Sequence, residues 1–269
     1  MNQPSPRGGA YEDGSEGRMS VAGDKYKAER GGMGETVKIV VNALILALIV
    51  RTFLFQPFNI PSGSMKSTLL VGDYLFVSKY AYGYSKYSIP FAPDLFSGRI
   101  WATPPERGDV AVFKLPRDPQ VDYIKRVIGL PGDKIQMIGG VLHINGTAVP
   151  KEKIDDYVTT DEFGTETHVP RYRETLPNGV SYTVLDLDPR SFSDDTPVYE
   201  VPADHYFMMG DNRDNSTDSR VLGAVGYVPF ENFVGRAGMV FFSVEEGAKA
   251  WQFWTWPWTV RFDRLFKVI

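Results

Sequence analysis

The stretch Lys134–Pro150, KIQMIGGVLHINGTAVP, decides the fold class. Short apolar runs flank Gly139-Gly140 and then Asn145-Gly146. Two-residue hairpin turns need positive φ at their centre, which Gly and Asn adopt readily, and their twist matches that of paired strands. The spacing predicts strand, turn, strand, turn, strand.

Upstream, VDYIKRVIGLPGD (Val121–Asp133), GDVAVFKLP (Gly108–Pro116) and VGDYLFVSKYAYG (Val71–Gly83) each read as strands bounded by turns. The turn after the second of these contains Pro116, Asp118 and Pro119. Downstream, Lys151–Pro202 is more polar, with acidic clusters and scattered prolines; SYTVLDL (Ser181–Leu187) is its clearest strand. HYFMMGDNRDNSTDSR (His205–Arg220) is a short apolar strand running into a dense polar loop, and Val225–Phe242 returns to strand character. The expected fold is mainly β. An antiparallel β-sheet domain from 57–133 and 203–269 carries an inserted second β lobe, 134–202.

Ahead of the sheet, the run ETVKIVVNALILALIVRTFLFQPF is apolar from Val37 to Phe55 except for Lys38, Asn42, Arg51 and Thr52. That is about 19 residues, roughly 28 Å of helix, close to the thickness of a bilayer core. A transmembrane anchor over 37–56 fits best. A cleaved secretory signal competes, but no small-residue cleavage site follows; a buried soluble helix is the third reading. Residues 1–36, rich in Gly, Ser, Glu and Lys, read as a disordered tail. Lys25, Lys27, Arg30 and Lys38 precede the apolar run closely. The positive-inside rule therefore puts the tail in the cytoplasm and the rest of the chain outside, on a single-pass inner (plasma) membrane protein.

The formal net charge of −4 over 269 residues gives no footprint for nucleic acid. The absence of cysteine excludes disulfides, thiol catalysis and thiolate metal sites. No metal or cofactor is expected, and no obligate protein partner is implied. The tail WQFWTWPWTVRFDRLFKVI holds Trp251, Trp254, Trp256 and Trp258. Core packing, a patch dipping into lipid and a partner surface are its three readings.

IPSGSMKSTLL (Ile60–Leu70) gathers Ser62, Ser64 and Ser67 just past the apolar run. A serine is a poor nucleophile without a base. Of His143, His168 and His205, only His205 precedes a polar loop, and no G-x-S-x-G elbow exists. A lysine serves as base only if burial lowers its pKa far below about 10.4. Lys125 shares a strand face with Val121, Tyr123 and Val127. An edge-strand lysine that blocks aggregation fits that pattern equally well. Lys66, two residues from Ser64, is the rival base, although a solvated headgroup contact suits it better.

PSGSM (Pro61–Met65), GDYLFVSKYAYG, RGDVAVFK (Arg107–Lys114), DYIKRVIGLPGDK (Asp122–Lys134) and GDNRDNSTDSR (Gly210–Arg220), in this order behind a membrane segment, together resemble bacterial type I signal peptidase, a Ser-Lys dyad family. The resemblance covers about Ile60 to Val228, with the inserted lobe unmatched. It implies a membrane-anchored serine endopeptidase that removes signal peptides from exported preproteins. It further implies Ser64 as nucleophile, Lys125 as general base and Ser62 as oxyanion donor beside the Ser64 N–H. Ser216 would orient the base, and Asp211, Arg213, Asp218 and Arg220 would support the site. Gly63 is expected to let Ser62 and Ser64 approach one carbonyl. Ser67 stands where the family commonly has proline, which is expected to loosen the loop slightly. Two alternatives remain at this level: a self-cleaving Ser-Lys protease and a non-enzymatic membrane-tethered β scaffold.

Overall fold

The computed structural model describes residues 33–160, 165–188 and 190–269. The expected tail lies outside these residues up to position 32, but Met33 to Glu35 and beyond are already helical. Helix α1 runs Met33–Phe53, so it begins and ends earlier than the hydropathy run suggested. Its apolar window is exposed throughout, as a span meeting lipid requires. The helix stops because Lys79 N–H takes the Leu54 carbonyl and Tyr84 OH takes that of Phe53. The chain then turns straight into a strand.

The strands are, in chain order, β1 Phe55–Asn59, β2 Asp73–Ser78, β3 Val110–Leu115, β4 Asp118–Gly129, β5 Lys134–Ile138, β6 Val141–Ile144, β7 Thr147–Ala148, β8 Lys151–Lys153 and β9 Tyr157–Thr160. They continue with β10 Glu166–Val169, β11 Arg171–Thr175, β12 Ser181–Leu185, β13 Tyr199–Glu200, β14 His205–Met209, β15 Val228–Pro229, β16 Phe233–Ser243 and β17 Lys267–Val268. One eight-stranded antiparallel sheet has the order β1-β2-β16-β3-β4-β14-β15, with β17 added to β16. Pro57 sits in edge strand β1, where a missing N–H leaves no ladder bond unmade.

Strands β5 to β13 form smaller sheets of their own, β13-β5-β6-β7, β12-β11-β8 and β10-β9. Both predicted hairpin turns are present, with Gly139, Gly140, Asn145 and Gly146 all at positive φ. The β3–β4 turn is shorter than expected, because Asp118 and Pro119 already belong to β4.

Three apolar clusters hold these layers. Met65 and Leu69, just past the first serine turn, pack with Leu75, Val77, Val110 and Val240. Phe113, Val127, Met208 and Phe233 fill a second cluster. Ile128 and Phe207 of the large sheet meet Ile135, Leu142 and Val184 in the third. The C-terminal tryptophans join none of them. Trp251, Trp254, Trp256 and Trp258 are 40 to 68% exposed, which sets core packing aside.

Candidate active site

Ser64 lies in the 3₁₀ turn Gly63–Met65 between β1 and β2. Buried Met65 and Leu69 anchor the turn from behind. From in front, the Asn212 N–H donates to the Ser64 carbonyl and Asn212 Nδ2 donates to the Gly63 carbonyl, both at 3.0 Å. The loop carrying Asn212 can come this close because Gly210 has no side chain. A Cβ there would fall 2.2 Å from Ser216 Oγ and 2.6 Å from the Ser64 carbonyl oxygen. Gly63 is different: its φ is not in the left-handed region and a Cβ would touch only Lys66 Cδ at 3.7 Å. The glycine between the serines is therefore not required by the backbone, contrary to expectation.

β4 delivers Lys125 to the same point. Lys125 is 3% exposed, and its ammonium donates to Ser64 Oγ at 2.6 Å. Tyr123, on the same face, holds its ring 5.3 Å from Nζ. Burial pushes the Lys125 pKa down to about 8, against the opposing pull of the Asp218 and Asp211 carboxylates. Lys125 and Ser64 form the floor of a cleft of about 520 Å³, also lined by Ser62, Tyr123, Asn215 and Thr217. Ser62 is exposed at its mouth, and its hydroxyl makes no capping bond to the turn.

The polar loop is a set of compensated charges. Arg126, which follows Lys125 in β4, pairs with Asp211 through two bonds of 2.9 and 2.7 Å. Thr68, from the serine loop, donates to the same carboxylate at 2.5 Å. Arg220 forks onto Asp218 at 2.9 Å through both Nε and NH2. Burial pushes the Asp218 carboxyl up, but the Arg220 guanidinium outweighs it and the group stays below its usual range. Arg213 pairs with Glu174 of β11, whose carboxylate also accepts from Tyr182 OH of β12. The Arg213 pair ties the loop to β11.

Ser216 departs from expectation. Its Oγ is buried and makes no bond to Lys125. It lies near the Asp218 carboxylate, close enough to help keep it ionised. Ser67 is not a loosened proline position. It sits at φ 105, which proline cannot adopt, and its hydroxyl meets Thr183 Oγ1 of the lobe.

The rival bases are elsewhere. Lys66 makes an outward ion pair with Glu246 at 3.9 Å. His205 Nδ1 meets the Ala203 carbonyl and His143 Nδ1 meets that of Val141. For a metal, Asp186, Asp194 and Asp214 bring carboxylate oxygens within 4.8 Å of one another. Lys151 already sits on Asp186 at 2.5 Å and supplies a positive charge there.

Asn212, Gly210, Arg126, Thr68 and Glu174 were not singled out by sequence reasoning. A charged residue beside a buried lysine in a strand is a signal for Arg126, since a buried guanidinium requires an acid. Its partner lies 85 positions away, beyond any local pattern.

A serine hydroxyl held by a buried, readily deprotonated lysine at the floor of an open cleft is the arrangement of a serine hydrolase that uses lysine as its base. The family described as signal peptidase, peptidase S26, matches residues 33–242, and the chain belongs to it. It is a serine endopeptidase, and the non-enzymatic scaffold reading falls away. Signal peptidase I of Rickettsia typhi is 46% identical over 75% of this chain and 77% of its own. That of Rickettsia canadensis is 47% identical over 74% of this chain and 76% of its own. A solved signal peptidase I from Enterococcus faecalis aligns at 23% identity over 50% of this chain and 97% of that one, with a TM-score of 0.29.

Proposed function

We propose that this chain is anchored by α1 and removes signal peptides from exported preproteins, with Ser64 as nucleophile and Lys125 as general base. The observation that carries this is the 2.6 Å contact between Lys125 Nζ and Ser64 Oγ, buried and without a histidine partner.

Once Lys125 is neutral, the contact reverses and the hydroxyl donates to Nζ. Ser64 Oγ attacks the scissile carbonyl carbon while its proton passes to Nζ. The oxyanion is held by the Ser62 hydroxyl and the Ser64 N–H. Losing one such donor costs on the order of 10²–10³ in rate. Collapse of the intermediate breaks the C–N bond, and Lys125 returns the proton to the departing amine. The neutral lysine next takes a proton from water, and the resulting hydroxide releases the acyl group from Ser64.

Asp211, Arg213, Asp218 and Arg220 act as the frame that holds the two walls together. Ser216 acts through Asp218 rather than through a bond to the lysine. The segments 57–133 and 203–269 form the catalytic unit and 134–202 the inserted lobe. Basic residues before α1 put the N-terminus in the cytoplasm and the cleft on the outer face of the inner membrane. There it meets chains whose own apolar segment lies in the bilayer.

The test is cleavage of a secretory precursor in detergent by wild type, Ser64→Ala and Lys125→Ala, each checked for folding by circular dichroism. Two folded but inactive variants are expected. A Lys125→Ala protein that cuts at near wild-type rate would place the base elsewhere.

A further inference from the structure

A second cavity, of about 710 Å³, opens where α1 meets the sheet. Its walls include Leu48 and Arg51 of the helix with Lys79, Lys86, Lys114 and Asp122. Counting charges, the balance is positive. Lys114 is neutralised by Asp122 at 2.9 Å, and Lys86 faces Asp94 at 3.5 Å and Glu231 at 3.9 Å. Arg51 and Lys79 are left without a carboxylate partner among the described residues. Lys79 is the more telling, being 2% exposed with only the Ser88 carbonyl accepting from it, at 2.7 Å. Burial and the nearby Arg51 cation bring its pKa down to about 8, against the opposing pull of the Asp122 carboxylate. Two cations held together in a partly dry cavity repel each other, and an anion between them removes that cost.

We propose that this cavity binds the phosphate of an anionic lipid headgroup, held between Arg51 and Lys79 with Lys86 at the rim. The shared chemistry is a phosphate anion, and its source is the lipid, for two reasons. Part of the wall is the apolar helix itself, so the acyl chains would continue along Leu48. The rim carries Phe91, fully exposed at 102%, on a turn in which Phe91 and Ala92 both adopt left-handed φ, 67 and 44. A strained turn that pushes a phenyl ring outward suits insertion beside headgroups. Asp122 lines both this cavity and the catalytic cleft, so the two share a wall in β4.

This inference rests on the membrane anchoring proposed above but not on the peptidase chemistry, so binding is measured without precursor. The full chain in non-ionic detergent is titrated with short-chain phosphatidylglycerol, short-chain phosphatidylcholine and inorganic phosphate. Saturable binding of phosphatidylglycerol alone is expected. Lys79→Gln should weaken it about fivefold, and an Arg51→Gln, Lys86→Gln pair on the order of 25-fold. The paired variant alters partly exposed side chains and keeps the test valid if the buried substitution misfolds. Equal binding of phosphatidylcholine, inorganic phosphate binding as tight as the lipid, or folded variants that bind like wild type would each overturn the proposal.

Discussion

Lys125 and Lys79 are both buried lysines whose pKa falls to about 8, both chiefly by desolvation. Their partners set them apart. Lys125 faces a hydroxyl, Ser64 Oγ, while Lys79 faces a backbone carbonyl, that of Ser88. A carbonyl has no proton to surrender, so the lysine there has no nucleophile to activate. Around Lys125 the other cations, Arg126 and Arg220, each have an acid of their own. Around Lys79 the neighbouring Arg51 has none among the described residues. The lowered pKa marks both places, and hydrogen-bond chemistry decides what each does.

The sharpest way to break this contrast is to remove each lysine in turn. Lys125→Ala should lower kcat by on the order of 10⁴–10⁶, the loss seen when a member of a catalytic unit is deleted. Lys79→Gln should lower precursor processing less than tenfold, measured under the same conditions. Equal losses would mean that the two sites do not differ in kind. Next in size is the compensation of charge. Arg213→Leu leaves the Glu174 carboxylate buried and unpaired, which should cost about 3–5 kcal/mol in urea unfolding. Adding Glu174→Leu should recover much of that loss.

Ser62→Ala should reduce kcat by on the order of 10²–10³ with little change in KM, as expected for a donor engaged only at the oxyanion. Retention of full activity would assign the oxyanion to backbone groups alone. The smallest effect per step is pH. Because the base works as the neutral amine, activity should rise as pH increases through about 8 and level off above it. Below that point each unit of pH should cost about tenfold. A profile that falls across this range would contradict a lysine base.

Much of this arrangement was legible in the sequence, and the reasons are local. The Gly139-Gly140 and Asn145-Gly146 turns are determined by backbone sterics at single residues, so they could be read without neighbours. The alternation that put Lys125 beside Tyr123 is a property of any strand. Residues that act across the fold were harder to see. Asn212 resembles any polar loop residue until its side chain is found on the Gly63 carbonyl. Glu174 is one acid among many in a polar segment until Arg213 meets it in the dry interior. Ser216 was assigned to Lys125 through resemblance, whereas its hydroxyl lies beside the Asp218 carboxylate. The end of α1 was misjudged because hydropathy alone continues through Phe55, while pairing with β2 ends the helix at Phe53.

The clamp on the Ser64 turn also bears on timing. Asn212 holds a carbonyl 149 positions earlier in the chain. At synthesis speeds of about 5–20 residues per second, that gap takes roughly 7–30 s to translate. Throughout that interval Ser64 has been made but the loop that fixes its turn has not. The Ser64 turn therefore gains its clamp only after the segment following β14 is made, long after α1 has been synthesised.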